Sequence, residues 1–400
     1  MAVEGTSKAN STRAGRYIRQ PTGYRAFAPN PLPPDPEIDY GGLADVLSEA
    51  NIAIGRLDGV GQTLPNPDLF VAMYVRREAV LSSQIEGTQS TLDDVLAYEL
   101  DASAPRLPAD ISEVVNHIAA MNYGLARLET LPLSLRLIRE IHEKLMSGVR
   151  GAERDPGEFR RSQNWIGPQG GRLSDAAFVP PPPTELTRLL GDLELFARQP
   201  GEIPALLHAG LVHAQFETIH PFLDGNGRVG RLLITFLLVH EGVLHRPLLY
   251  LSYFLKRHRA EYYDRLMAVR HDGDWEGWLR FFLRGVAETA GEATIKAGAI
   301  VRMREQNRAV ASDLGAHGIH ALDHLFQQPV INVDALHKAL DVSWPTANKL
   351  VQQLVERGLL KERTGQRRNR VFRYEPYLAL FADREPDETT GDQAADLTQS

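Results

Sequence analysis

The 400-residue sequence contains no cysteine. Disulfide bonds, thiolate metal sites and cysteine nucleophiles are therefore excluded, and this composition fits a reducing compartment such as the cytoplasm. Long hydrophobic runs are also missing, because no apolar stretch approaches the ~20 residues that a membrane helix needs. The N-terminus lacks the apolar segment of a signal peptide. We therefore expect a cytoplasmic protein that has no membrane partner.

An excess of positive charge is absent as well. The formal net charge is −7, with 44 Lys and Arg against 51 Asp and Glu, so any nucleic-acid binding must come from a local surface. Hydrophobic residues make up 43% of the chain and charged residues 24%, which is ordinary for a globular protein. The length predicts two or three domains.

The most informative segment is HPFLDGNGRVGR, residues 220–231, which we call the signature loop. Apolar residues at helical spacing predict a helix over residues 205–217 before it and another over residues 228–240 at its end. The loop therefore leads into a helix N-terminus, where free N–H groups and the helix dipole attract anions. The alternative is a plain turn between two helices.

Two glycines and two arginines in the signature loop suit phosphate binding. Gly225 and Gly227 permit turns that direct successive N–H groups into one concavity. Arg228 and Arg231 are three residues apart, so both can project from one helix face towards that concavity. The guanidinium group is suited to bidentate phosphate recognition.

A carboxylate and an imidazole complete this set. Asp224 is a hard oxygen ligand suited to Mg²⁺, which would bridge phosphate oxygens. His220 stands at the loop entrance, where an imidazole can accept a proton from an attacking hydroxyl. The loop offers no covalent nucleophile with a Ser-His-Asp arrangement, which favours direct in-line transfer. Each residue alone is more often structural; the combination indicates a nucleotide site.

The signature loop resembles the HxFx(D/E)GNGRxxR motif of the Fic family and fills every fixed position of it. The resemblance implies protein adenylylation, in which AMP moves from ATP to a Ser, Thr or Tyr hydroxyl of a target protein, or of the enzyme itself, and pyrophosphate leaves. It also implies the following roles: His220 as general base, Asp224 as the Mg²⁺ ligand, Gly225, Asn226 and Gly227 as the anion hole, Arg228 and Arg231 on the phosphates, and Phe222 packed under the loop.

A second segment, residues 163–180, predicts a β-hairpin, because aromatic and β-branched residues flank the turn pair Gly170-Gly171. It resembles the Fic flap, and we use that name for it. The resemblance implies that the target protein docks on the flap as an added strand, which presents its hydroxyl to the base. It also implies that Ile166 and Gly167 line the nucleotide pocket. The alternative is an ordinary surface hairpin.

Two adjacent tyrosines, Tyr262 and Tyr263, lie near the start of a helix predicted from residue 261 towards Arg270. Aromatic faces stack readily on bases, and the pair resembles an adenine-side contact of the Fic family. The alternative is a core or interface tyrosine pair.

Upstream, apolar residues at helical spacing predict a helix over residues 67–86. Asn66 is a suitable N-cap, and Pro67 occupies the first helical position. Ser82 and Glu86 are four residues apart and share a face of this helix.

The end of this helix resembles the inhibitory motif (S/T)xxxE(G/N) that precedes some Fic cores. The resemblance implies that Glu86 pairs with Arg231 and denies that arginine to the γ-phosphate of ATP. The enzyme would then be autoinhibited. The same glutamate could instead position a water for the reverse reaction, the removal of AMP from a modified target.

The predicted fold is all-α: a Fic-type helical core with a small β-hairpin flap, plus a C-terminal winged helix-turn-helix domain. The predicted division is an extended N-terminal arm at 1–40, an N-terminal helical region with the inhibitory helix at 41–105, a catalytic core at 106–290, a connector helix at 291–315, a winged helix-turn-helix at 316–381 and an acidic disordered tail at 382–400.

The winged-helix prediction depends on three short helical patterns, over residues 319–326, 333–340 and 343–357, followed by a basic hairpin. The arginines of that hairpin are Arg363, Arg367, Arg368 and Arg370. A basic wing and the start of the third helix can contact DNA. Winged helices also bind proteins, and both partners remain open, as does a homodimer. A competing hypothesis is a DNA-binding regulator whose core senses nucleotide and transfers little.

Overall fold

The computed structural model describes residues 11–63, 67–102, 107–151, 153–167, 171–365 and 369–382. The chain divides between Gly298 and Ala299 into two compact units. Several expectations lie outside the described residues: the Asn66 cap, the turn residue Gly170, the wing residues Arg367 and Arg368, and the acidic tail from residue 383.

Helices dominate the first unit and occupy the predicted segments. In chain order they are α1 (Tyr40–Thr63), α2 (Pro67–Ile85), α3 (Leu92–Leu100), α4 (Ile111–Leu128), α5 (Leu135–Leu145), α6 (Leu186–Arg198), α7 (Ala205–Ile219), α8 (Asn226–His240), α9 (Ser252–Arg257), α10 (Arg259–Asp272) and α11 (Trp275–Ser312). Among the described residues no helix is both long and apolar enough to cross a membrane.

Helices α7 and α8 form the centre of this unit. Nearly every residue of both helices is buried, as expected for a helix that has neighbours on all sides. Helices α6 and α10 pack on α7, while α2, α4 and α5 pack on α8. The signature loop joins the two central helices and is therefore surrounded by protein.

The N-terminal segment differs from the predicted extended arm. Residues Ser11–Thr12, Gly15–Arg19 and Arg25–Pro29 form strands β1, β2 and β3 of an antiparallel sheet in which Tyr17 faces Phe27. The physical reason is burial, because Phe27 is fully inaccessible to solvent. The main-chain N–H of Phe27 also donates to the Val179 carbonyl (2.9 Å), which ties this sheet to the flap.

The flap contains less regular strand structure than the predicted hairpin. Among its described residues a single antiparallel pair forms, with Ile166 N–H donating to Phe178 O (2.8 Å) and Phe178 N–H donating to Ile166 O (3.1 Å). The returning limb closes a 3₁₀ turn over Leu173–Asp175. In that turn the Asp175 carboxylate accepts a hydrogen bond from the Arg172 main-chain N–H (3.2 Å). The returning limb therefore does not continue the strand pairing at this point.

Helix α11 continues through the predicted boundary at residue 290 without a break, and residues 291–312 are its second half rather than a separate connector helix. The described elements that follow are α12 (Ala316–Gln327), β4 (Val330–Ile331), α13 (Val333–Leu340), α14 (Trp344–Glu356), β5 (Lys361–Glu362), β6 (Phe372–Arg373) and α15 (Glu375–Leu378).

The three strands of the second unit form an antiparallel sheet in the order β4-β6-β5. Side chains cap two of its helices, since Asn332 Oδ1 accepts from Ala335 N–H (2.7 Å) and Ser343 Oγ accepts from Thr346 N–H (3.3 Å). Three helices followed by two paired strands stand in the predicted order, whereas β4 and α15 were not predicted. The assignment to the winged helices stays a prediction.

A glycine sets the distance between α4 and α8. A methyl group at Gly124 would lie 2.3 Å from the Phe236 ring, so Gly124→Ala forces either helix to move. We expect a loss of about 1–3 kcal/mol in the free energy of unfolding, measured by urea denaturation. Gly191→Ala on α6 is the matched control, because no described atom lies within 4 Å of its added methyl. The control should gain up to about 1 kcal/mol. Equal behaviour of the two variants would contradict the close contact.

Candidate active site

The signature loop makes two sharp turns. His220 ends α7 in the left-handed conformation (φ 50°, ψ 61°), and Gly225 precedes α8 with a φ of 73°. A left-handed non-glycine residue costs about 1–3 kcal/mol and persists only where its surroundings enforce it. The neighbours of His220 therefore matter.

Two polar side chains from the start of the flap region hold the loop. Arg160 is buried, and its Nε donates to the His220 carbonyl (2.9 Å). Asn164 Nδ2 donates to the carbonyls of His220 (3.1 Å) and Phe222 (2.8 Å). Within the loop, Asn226 Oδ1 accepts from Phe222 N–H and its Nδ2 donates to Phe222 O, both at 2.8 Å. The Asn226 side chain is thus used to close the loop that the predicted anion hole requires.

A histidine from α5 supports the loop from the other side. The His142 ring stacks on Phe222 at a centroid distance of 3.7 Å. Its Nδ1 accepts from Gly157 N–H (2.8 Å), so its Nε2–H is available to donate to Asp224 O (3.1 Å). Burial lowers the pKa of His142 to about 4, which keeps this imidazole neutral. Phe222 is fully buried under the loop, as predicted.

His220 is also neutral near pH 7. Burial, with the positive charges of Arg270 and Arg160, lowers the pKa of His220 to about 3. An unprotonated imidazole can accept a proton, which is the state that a general base needs. Its Nδ1 has no hydrogen-bond partner among the described residues, and the Glu217 carboxylate lies 4.0 Å away.

The predicted contact between the end of α2 and Arg231 is present. Arg231 Nε donates to Ser82 Oγ (2.8 Å), and its Nη2 donates to Ser82 O (2.9 Å) and to Glu86 Oε1 (2.7 Å). Burial is the largest influence and would raise the pKa of the Glu86 carboxyl, but the charge and hydrogen bond of Arg231, with smaller contributions from Arg228 and His220, together outweigh it and lower the pKa. Glu86 is therefore an anion at neutral pH.

Gly227 brings that anion against the first turn of α8. A methyl group at this position would stand 2.2 Å from Glu86 Oε1. The absence of a side chain therefore lets the carboxylate reach the helix N-terminus, the place predicted for a phosphate.

Arg228 points elsewhere. Its Nη1 donates to Glu113 Oε2 on α4 (3.1 Å), and its guanidinium is buried beside Met146. We expected both arginines to face one concavity, whereas Arg228 turns towards α4 and Arg231 towards α2. The difference arises because each buried guanidinium binds a different carboxylate.

Asp224 fits the predicted Mg²⁺ ligand. Its Oδ1 accepts from Gly225 N–H (2.7 Å), while Oδ2 is 3.2 Å from Arg154 Nη1 on a partly exposed side. The described residues contain no cluster of three or more metal-binding side chains. One carboxylate completed by phosphate oxygens and water is an arrangement that suits Mg²⁺.

The tyrosine pair separates into two environments. Tyr262 is buried, its hydroxyl hydrogen-bonds His213 Nε2 (2.9 Å), and it packs on Trp278. Tyr262 is thus a core residue, and the structure does not favour the contact with adenine that we expected for it. Tyr263 is 38% exposed. On the flap, Ile166 is partly buried and Gly167 is exposed.

Comparison with known proteins agrees with this geometry. Residues 44–126 match the model described as Fic/DOC family N-terminal, and residues 132–238 match that of the Fic/DOC family. These two segments, which together cover just under half of the chain, are similar to the Fic/DOC family. The Fic segment contains the whole signature loop and Asp224, and the N-terminal segment contains Glu86.

Curated Fic relatives carry an activity in their names. "Protein adenylyltransferase Fic" of Aedes aegypti is 35% identical over 174 residues, which cover 42% of this chain and 31% of that protein. The protein of the same name from Culex quinquefasciatus is 34% identical over 174 residues. The match thus spans about a third of these relatives.

A solved Fic structure shows the same fold. The Fic family protein from Desulfovibrio desulfuricans G20 superposes with a TM-score of 0.55 and 21% identity, over 85% of this chain and 97% of that chain.

Removal of the Arg160 guanidinium should loosen the loop. Arg160→Met leaves buried carbonyls, including that of His220, short of a donor, which costs about 1–3 kcal/mol. We expect a lower melting temperature together with weaker binding of a fluorescent ATP analogue. Arg161→Met is the matched control, since Arg161 is the exposed neighbour. Unchanged melting and binding in Arg160→Met would show that the loop does not depend on this side chain.

Proposed function

We propose that this chain is an autoinhibited protein adenylyltransferase, which moves AMP from ATP to a Ser, Thr or Tyr hydroxyl of a target protein. The observation that carries the proposal is the Glu86 carboxylate bound to Arg231 at 2.7 Å at the start of α8, beside the neutral His220. The names of the curated relatives support adenylyl transfer.

The chemistry follows from the positions of these groups. His220 accepts the proton of the target hydroxyl, and the hydroxyl oxygen attacks the α-phosphorus of ATP in line as the bond to pyrophosphate breaks. Main-chain N–H groups of Asn226 and Gly227 at the start of α8 stabilise the developing phosphoryl charge, joined by that of Gly225 once it releases Asp224 Oδ1. Asp224 would hold Mg²⁺, which offsets phosphate charge when bound.

The flap is the proposed docking site of the target. An extended target segment would add to the flap as a strand and bring its hydroxyl to His220. Ile166 would line the nucleotide pocket and Gly167 would let the target backbone approach. Tyr263 is the member of the tyrosine pair that has an exposed ring for the adenine.

Autoinhibition follows from competition for one cation. Arg231 cannot bind the γ-phosphate while its guanidinium is paired with Glu86. The Glu86 carboxylate and the γ-phosphate would also repel each other at this distance. ATP can then enter only in a pose that lacks this contact, which hinders transfer.

Two further functions use the same residues. Glu86 could position a water that removes AMP from a modified target. A regulator that senses nucleotide and binds DNA through residues 316–381 would need neither the neutral base at His220 nor a docking flap, and the presence of both favours the transferase.

The test compares transfer from α-labelled ATP, with Mg²⁺ and cell lysate, by three proteins: wild type, Glu86→Gly, and Glu86→Gly with His220→Ala. We expect transfer to rise at least about tenfold in Glu86→Gly, as a released charge-assisted contact allows, and to vanish in the double variant. Chelation of Mg²⁺ with EDTA should also abolish it. An increase in the intact mass of Glu86→Gly by one AMP would establish self-modification.

The matched control is Glu49→Gly, which removes an exposed glutamate from α1. It should behave as wild type. Absence of transfer by all variants, with ATP binding intact, would refute the transferase and favour the regulator. AMP release from a premodified target that depends on Glu86 would favour the reverse reaction.

The C-terminal unit is proposed to recruit a partner, either DNA, a protein or a second copy of the chain. Trp344 at the start of α14 is 49% exposed, and Lys349 follows one turn later. DNA binding would weaken with a steep dependence on salt, and Lys349→Ala would reduce the slope by about one. Binding of a protein partner would instead depend on Trp344 and change little with salt. Fluorescence anisotropy with a labelled duplex separates these cases.

A further inference from the structure

The buried carboxylate of Glu217 lies beside the imidazole of the proposed base, and the mechanism above does not use it. Glu217 stands on the last turn of α7 with 6% of its surface exposed. Its Oε1 and the Nδ1 of His220 have no hydrogen-bond partner among the described residues, and its Oε2 lies 4.0 Å from that Nδ1. Buried polar groups are normally paired, so this arrangement indicates a role.

The space for this carboxylate is provided by α8. A methyl group at Gly230 would lie 2.3 Å from Glu217 Oε1, so no larger residue fits at that position without displacing it. An apolar side chain at position 217 would be less costly to bury than a carboxylate. Stability alone therefore does not explain a glutamate here.

The surroundings of Glu217 bring the pKa of its carboxyl close to neutral pH. Burial raises its pKa to about 7, Arg231 opposes this, and Glu86 adds to it. The charged and titratable groups that face it are Arg231 of α8, Glu86 of α2, Arg270 and Tyr262 of α10, and His213 and His220 of α7 itself.

We propose that Glu217 is a positioning residue for His220: its carboxylate accepts the Nδ1–H, which leaves the Nε2 lone pair free for the target hydroxyl. The inference rests on the proposed transferase function. When the hydroxyl proton moves to Nε2, the imidazole becomes a cation that Glu217 stabilises, while the hydroxyl oxygen bonds to phosphorus and pyrophosphate departs. Catalytic hydrogen bonds are often long in a free enzyme and shorten when substrate binds.

A competing acceptor is the main-chain carbonyl of Glu217, which lies on the same turn. This carbonyl already accepts from Arg270 Nη2 at 3.0 Å. The carboxylate differs from it in one measurable respect, because only the carboxylate titrates.

The experiment uses the full chain with Glu86→Gly as the active parent, and adds Glu217→Gln or Glu217→Leu. The active form needs the Glu217 carboxylate, so the parent's transfer rate should rise with pH through the Glu217 pKa. Loss of the Glu86 charge lowers that pKa in the nucleotide-free parent. Glu217→Gln can still accept the Nδ1–H but cannot titrate, so this rise should disappear. Glu217→Leu should lower kcat about a hundredfold, the scale of a lost general base.

Glu241→Gln is the matched control, because the Glu241 carboxylate at the end of α8 hydrogen-bonds the Nδ1 of another α7 histidine, His208, away from the loop. It should keep the parent's rate and pH profile. A Glu217→Gln variant that retains the rise with pH, or a folded Glu217→Leu variant with the parent's kcat, would overturn the proposal in favour of the carbonyl. Failure of the parent itself to transfer AMP would instead refute the proposed function.

Discussion

The buried guanidinium of Arg231 is the constraint on which the rest of the site depends. Arginine does not lose its proton in a protein, so its charge must be met by an anion wherever it is buried. In this structure the anion is Glu86, aided by Ser82. A triphosphate can satisfy the same charge. In the proposed function the two anions therefore exclude each other, and α2 and the nucleotide compete for one binding position.

The geometry of the loop comes from distant parts of the chain rather than from the loop itself. His142 of α5, Arg160 and Asn164 hold its carbonyls, and through them the strained backbone of His220. This arrangement keeps the imidazole in place without any ligand. It also means that the proposed base, the proposed anion site and the Asp224 carboxylate are fixed relative to one another before any substrate arrives, which is how electrostatic stabilisation becomes effective.

The sequence predicted what short-range patterns encode. Helices α2 and α7 begin at the predicted residues, and the pairing of Glu86 with Arg231 was predicted from the motifs at residues 82–87 and 220–231. The pairing of Arg228 with Glu113, which is 115 positions earlier, carried no local signal.

The other differences from the predictions also arise from contacts between residues that are distant in the sequence. The strands β2 and β3 are five residues each and are defined by burial of Phe27, which composition does not reveal. The burial of Tyr262 depends on His213 and Trp278, partners that only the folded chain brings together.

The bare Cα of Gly227 has a consequence for how such a protein can change over generations. The volume that a methyl group would fill there is occupied by the inhibitor now and by a phosphate in the proposed active state. In the proposed function, a substitution at this glycine would therefore abolish inhibition and activity together. Release of inhibition without loss of activity would then have to come from changes in α2 and not from this side of the site.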